Sequence, residues 1–196
     1  RRTSLTDVGV SPSDIDCVLL THARTDHIGG LADEAGKVLF PEAELMVHQQ
    51  EIDYWLDDAC LRRAAERARG NFLFARNIFE LYRPNIRTFN NGEVLPGITA
   101  LHLPGHTAGH SGYSLNSGNQ GLLVWGDIVH FPEIQISHPE VSIAFDQNPQ
   151  LAADIRLRLL EQVSADQLLV AGMHFADAGF GMIRKQGKNF QLSYDR

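Results

Sequence analysis

No stretch of this chain is apolar for long enough to cross a bilayer. Basic residues are in the minority: 17 Lys and Arg against 24 Asp and Glu give a formal net charge of -7, which argues against nucleic acid or an anionic membrane as the main partner. Cysteine is scarce, with only Cys17 and Cys60. Cys17 opens an apolar run and reads as a small buried hydrophobe, and Cys60 lies in an Arg-rich helical stretch, so no disulfide framework is implied. The chain shows no internal repeat, long linker or low-complexity tract. It begins Arg1-Arg2-Thr3, without Met or a signal-like segment, as the interior of a longer protein would. A soluble protein is expected, and its compartment, cytoplasm or periplasm, stays open.

The 196 residues, 43% hydrophobic and 21% charged, are ordinary for a globular protein and suit one domain spanning 1–196. Histidine is the unusual count, at nine. Ser11-Pro12-Ser13-Asp14 is turn and cap chemistry, followed by an apolar run Val18-Leu19-Leu20 that reads as a buried strand. Leu31 to Ala35 is expected as a short helix and Leu45 to His48 as a strand. Residues 49–82 carry apolar residues at helical spacing and are read as helical. The aromatics Phe72, Phe74, Phe79 and Tyr82 make a packed face or a substrate-pocket wall. From Ile86 the pattern changes to short strands at 86–89, 98–103, 111–115 and 122–125, with turns at Asn90-Asn91-Gly92 and 116–121. Asn148-Pro149 opens a helix with an apolar stripe of Leu151, Ile155, Leu159 and Val163. A strand at 168–170 and a hairpin of 181–183 with 190–192 complete the chain.

Four segments place metal-type ligands just after strands. They are His22-Ala23-Arg24-Thr25-Asp26-His27, Pro104-Gly105-His106-Thr107-Ala108-Gly109-His110, Trp125-Gly126-Asp127 and Gly172-Met173-His174. Loops at strand ends let a rigid sheet aim several side chains at one point. Imidazole with carboxylate suits zinc, with manganese, iron or cobalt as further candidates. Any one of these histidines is weak evidence; the ordered set is not a chance delivery.

With those motifs the chain resembles the metallo-β-lactamase superfamily, whose fold is an α/β, αβ/βα four-layer sandwich. From about Asp14 onward it resembles the branch of methyl parathion hydrolase-like and acyl-homoserine lactonase-like enzymes. His130-Phe131-Pro132, Phe145-Asp146 and Gly181-Met182-Ile183 are closer to the former. The resemblance implies one metal on His22, the residue now Arg24, and His106; a second on Asp26, His27 and His174; and Asp127 bridging them. It implies a metal-bound hydroxide attacking an ester, lactone or phosphotriester. Asp26 and Asp127 are the catalytic carboxylates, Asp127 holding the metals and taking a proton. The family's first-sheet strands precede the ligand loop, so the N-terminal strands are expected to be missing from this chain, with a homodimer contact or an absent segment at the exposed edge.

Arg24 stands where the superfamily pattern has its second histidine. Arginine has no lone pair for a metal and keeps its proton. Its guanidinium swings to solvent and leaves a weak first site, or takes the first metal's place, or the centre is severely impaired. The expectation is a zinc hydrolase with one or two ions, leaning to one, acting on a small apolar ester or lactone. Two other classes stay open: a non-catalytic ligand-binding relative, and a thioester hydrolase or iron-dependent persulfide dioxygenase of the same fold. His110 is expected to orient a ligand through a hydrogen bond or to be structural, and His130, which has no matching ligand position, to have a structural or surface role, close enough to Asp127 to sit near the pocket mouth. Thr21 and Thr107 are expected to bond the ligand loops, and Phe131, Phe145 and Phe175 to form an apolar wall or core. His48, His102 and His138 are expected in structural or surface roles, and Asp146 as a turn cap without a catalytic part.

Overall fold

The computed structural model describes residues 2–175 and 179–194, with side chains from Leu5 onward. The chain divides into two compact units, Arg1–Phe89 and Asn90–Arg196.

The first unit is built on a three-stranded parallel sheet in the order β1 (Cys17–Leu19), β2 (Glu44–His48), β3 (Ile86–Phe89). A helix α1 (Arg2–Asp7) precedes it, and a 3-10 turn at Pro12–Asp14 leads into β1. That turn carries a capping box, Ser11 accepting from Ser13 N–H while Asp14 accepts from Ser11 N–H. After β1 the chain makes one helical turn, α2 (Thr25–Ile28).

The expected helix at Leu31–Ala35 is absent. Asp33 Oδ1 accepts from both Ala35 N–H and Lys37 N–H, and Gly36 takes φ +77, so the segment closes as a turn with a bridge between Ala32 and Val38. A short aspartate competing for backbone N–H groups favours such turns over helix. Residues 49–82 are helical as expected, but in three pieces: α3 (Gln49–Leu56), α4 (Asp58–Arg63) and α5 (Glu66–Leu81). Asp57 ends α3 in extended backbone and caps α4 by accepting from Ala59 N–H at 2.6 Å. Phe72, Phe79 and Tyr82 are buried with Trp55, Ile78, Leu45 and Val47, so the aromatic stretch is core.

The second unit holds a seven-stranded sheet in the order β10-β9-β8-β7-β6-β5-β4. The strands are β4 (Gly92–Leu95), β5 (Ile98–His102), β6 (Ser111–Ser117), β7 (Gln120–Val124), β8 (Leu169–Ala171), β9 (Phe180–Gln186) and β10 (Asn189–Ser193). All neighbours are antiparallel except β7 and β8, which are parallel and joined through α6 (Pro132–Gln135) and α7 (Pro149–Ala165). Asn148 caps α7 by accepting from Leu151 N–H, with Pro149 at its first position. The face of α7 that packs on the sheet presents Leu159, Leu160 and Val163 to Leu123, Trp125, Val170, Ile183 and Phe190. The buried stripe also includes Arg156, a residue that patterning assigns to solvent. No helix among the described residues is long and apolar enough to cross a membrane.

Candidate metal centre

In the first unit the ligand residues follow β1. His22 is buried, and its Nδ1 lies 3.1 Å from Thr21 Oγ1. With Nδ1–H donating to that hydroxyl, Nε2 keeps its lone pair for a cation. The rings of His22 and His27 are 4.0 Å apart between centroids. Asp26 and His27 are on α2, with Asp26 Oδ2 at 3.5 Å from His27 Nε2, and the Asp26 side chain is 64% exposed. The loop is held from beneath by Glu51, fully buried on α3. One of its oxygens accepts from Ala23 N–H at 2.9 Å and from the Trp55 indole N–H at 2.7 Å.

Arg24 occupies the cap position of α2 in extended backbone and is half-buried. Its charge reaches the Tyr54 phenol: burial and the neighbouring Cys60 raise that group's pKa, and Arg24 works against them.

In the second unit the convergence is denser. Asp127 is buried in a turn with Gly126 at φ +58, just beyond β7. Three imidazole nitrogens face its Oδ2: His130 Nδ1 at 3.2 Å, His174 Nε2 at 3.3 Å and His106 Nε2 at 3.5 Å. His110 accepts Asp127 N–H on Nε2 at 2.9 Å, so its proton is on Nδ1, which donates to Leu103 O at 2.9 Å. His110 therefore fixes the backbone from which the Asp127 carboxylate projects. His106 Nδ1–H donates to Asp146 Oδ1 at 3.0 Å, which fixes the ring with Nε2 toward Asp127.

Asp146 also accepts from Ile143 N–H and faces Arg156 at 3.7 Å. Burial pushes its carboxyl up, but the bonds from His106 and Ile143 and the charges of His106 and Arg156 outweigh that and hold it below the ordinary aspartate value. Arg156, itself pushed down by burial, donates to Ile128 O at 2.6 Å, Pro139 O at 2.7 Å and Val141 O at 2.8 Å. One guanidinium thus ties the segment after Asp127 to the carboxylate that holds His106. Gly105, at φ +132, brings the His106 loop against α7, where a Cβ would sit 2.4 Å from Ala152 N. Asn148 N–H and Gln147 N–H close the same contact by donating to Gly105 O and His106 O.

The donor set fits a borderline divalent cation. Asp127, His130 and His174 each offer one ligand atom, all within 4.8 Å of one another. A family model for the metallo-β-lactamase superfamily matches residues 1–174. This chain belongs to that superfamily.

Among its relatives are probable metallo-hydrolases of Mycobacterium bovis and Mycobacterium tuberculosis, each 32% identical over 127 residues, or 61% of this chain. The match covers 39% of those proteins, so the chain spans about two-fifths of the curated relatives it matches. Among solved structures, AidC, a dizinc quorum-quenching lactonase in complex with a product, is 25% identical with a TM-score of 0.92, covering 100% of this chain and 69% of its own. The hydrolase AbOPH of the β-lactamase superfamily is 27% identical with a TM-score of 0.88, covering 97% of this chain and 68% of its own. The metallo-β-lactamase fold is the one the motifs imply, and the lactonase side of the expected branch is represented among its neighbours.

Of the candidates in this superfamily member, His22 and His27 meet in the first unit, and His106, Asp127 and His174 meet in the second. His130, expected in a structural or surface role near the pocket mouth, has its Nδ1 3.2 Å from Asp127 Oδ2, with the half-exposed Phe131 and Phe145 beside its ring at 5.2 and 6.0 Å. Phe175 is core, edge-on to Trp125. His48 caps α3 and His102 bonds Ala108 O, both structural duties. Reasoning from sequence missed Glu51, Gln135, Asp146 as a partner of His106, and Arg156. Only Asp146 carried a signal, through its place beside Phe145 in the family-like wording.

Proposed function

We propose that this chain carries the metal site of a hydrolase that opens lactones or esters of apolar acids, with zinc as the ion, and that Arg24 reduces occupancy of one of two metal positions. The ligands in this reading are those the resemblance implies: His22, Asp26, His27, His106, Asp127 and His174. When bound, a divalent cation lowers the pKa of coordinated water and polarises the carbonyl or phosphoryl group under attack. The chain's own part is to aim the imidazoles, with Thr21 and Asp146 taking the far-side N–H groups of His22 and His106. Asp127 supplies a carboxylate able to hold the ion and to accept a proton. Phe131 and Phe145, half-exposed beside His130, supply apolar surface suited to an acyl chain.

The observation that carries this reading is the meeting of three imidazole nitrogens at one oxygen of Asp127. The likeness to a dizinc lactonase supports the substrate class. The family-like wording at His130-Phe131-Pro132 keeps phosphotriesters within the screen.

Metal content of the purified protein, with hydrolysis of lactones, aryl esters and phosphotriesters, tests it. The wild type is expected to hold about one ion per chain, and Arg24→His about two with faster turnover. Two tightly held ions and high turnover in the wild type overturn the part given to Arg24. No hydrolysis of any of these substrates by either protein overturns the hydrolase reading and favours a ligand-binding module.

A further inference from the structure

We propose that His130 is itself a metal ligand, forming with Asp127 and His174 a cation site contained within residues 90–196. The inference rests on the metal-dependent reading above and adds a ligand to it.

Around a tetrahedral ion with ligand distances of about 2.1 Å, neighbouring ligand atoms stand roughly 3.4 Å apart. The separations of Asp127 Oδ2 from His130 Nδ1 and His174 Nε2, 3.2 and 3.3 Å, are of that size. They are longer than charge-assisted hydrogen bonds between imidazolium and carboxylate, about 2.7–2.9 Å.

The backbone at His130 is built to hold this place. The buried Gln135 side chain accepts from His130 N–H at 2.7 Å and Phe131 N–H at 2.9 Å, and donates to Val141 O at 2.9 Å. Side-chain exposures of 15% for His130 and 29% for His174 leave an open side, as a cation with a vacant position requires. Arg24 is not at a ligand position of this site, so one ion can be retained despite that residue.

Cobalt(II) and zinc(II) titrations of the whole chain test the proposal, read by visible absorption of bound cobalt and by competition with a chromophoric chelator. His130→Ala is expected to weaken the tightest site by about tenfold or more and to change the cobalt spectrum, as His174→Ala does. His22→Ala is expected to leave that site in place. His130→Gln, which keeps side-chain bulk without imidazole, guards against loss of fold and should match His130→Ala. If both His130 variants keep wild-type affinity while His174→Ala and Asp127→Ala lose it, His130 is no ligand and the metal reading stands. If the wild-type chain binds neither ion, both fall.

Discussion

The ligand group of residues 1–89 and that of residues 90–196 are supported very differently. The first sits on a one-turn helix and its approach. Its Asp26 is largely exposed, and its side-chain contacts are short: Thr21 on His22, Thr25 donating to Asn71, and Glu51 accepting from Ala23 N–H and the Trp55 indole. The second is layered: Asp127 is gripped through its backbone by His110, His106 through its ring by Asp146, and Asp146 by Arg156, which also holds three carbonyls. Buried polar networks of this kind fix geometry because each member is costly to leave unpaired. The better-braced group is also the one whose family ligands are all present, while the substitution by arginine falls in the looser one. A replaced ligand costs least where the surrounding structure commits least to it.

The contrast can be broken most forcefully at Arg156. Arg156→Met keeps bulk but strands buried carbonyls and the Asp146 carboxylate, and should cost about 3–5 kcal/mol of stability in chemical denaturation. A change near zero would mean that the bracing is ornamental. Asp146→Asn should leave the fold intact and weaken metal binding about 10–100-fold, or about 1.4–2.8 kcal/mol, measured by competition with a chelator. Equal affinity would show that His106 needs no orienting partner. On the other side, Glu51→Gln keeps the shape and trades a charged acceptor for a neutral one, so about 1 kcal/mol of stability should go. Asp26→Ala should change stability by less than about 0.5 kcal/mol while lowering metal content. A large destabilisation there would erase the difference between the groups.

The strand-then-ligand rhythm was readable because it is local: each of His22, His106, Asp127 and His174 follows a short apolar run that becomes β1, β5, β7 or β8. The hairpin of β9 and β10 and the cap of α7 at Asn148 were readable for the same reason. The breaks at Asp57 and at Ala64-Ala65 were not, since helical periodicity continues across them and Ala65 offers no side-chain cap. Asp146, Arg156, Gln135 and Glu51 were missed because each looks like an ordinary polar surface residue until its partners, 5 to 40 positions away, are brought to it. His130 was placed near the ligands by its distance from Asp127 along the chain, but nothing in the sequence aimed its ring.

The seating of Gly105 against Ala152 bears on time rather than energy. A loop that carries a ligand usually opens by its own fluctuation. Here the loop backbone touches the first turn of α7 with no room for a Cβ, and the amides before α7 are bonded to its carbonyls. Opening of the His106 loop backbone is therefore coupled to unseating of the start of α7, which ties it to the docking of that helix.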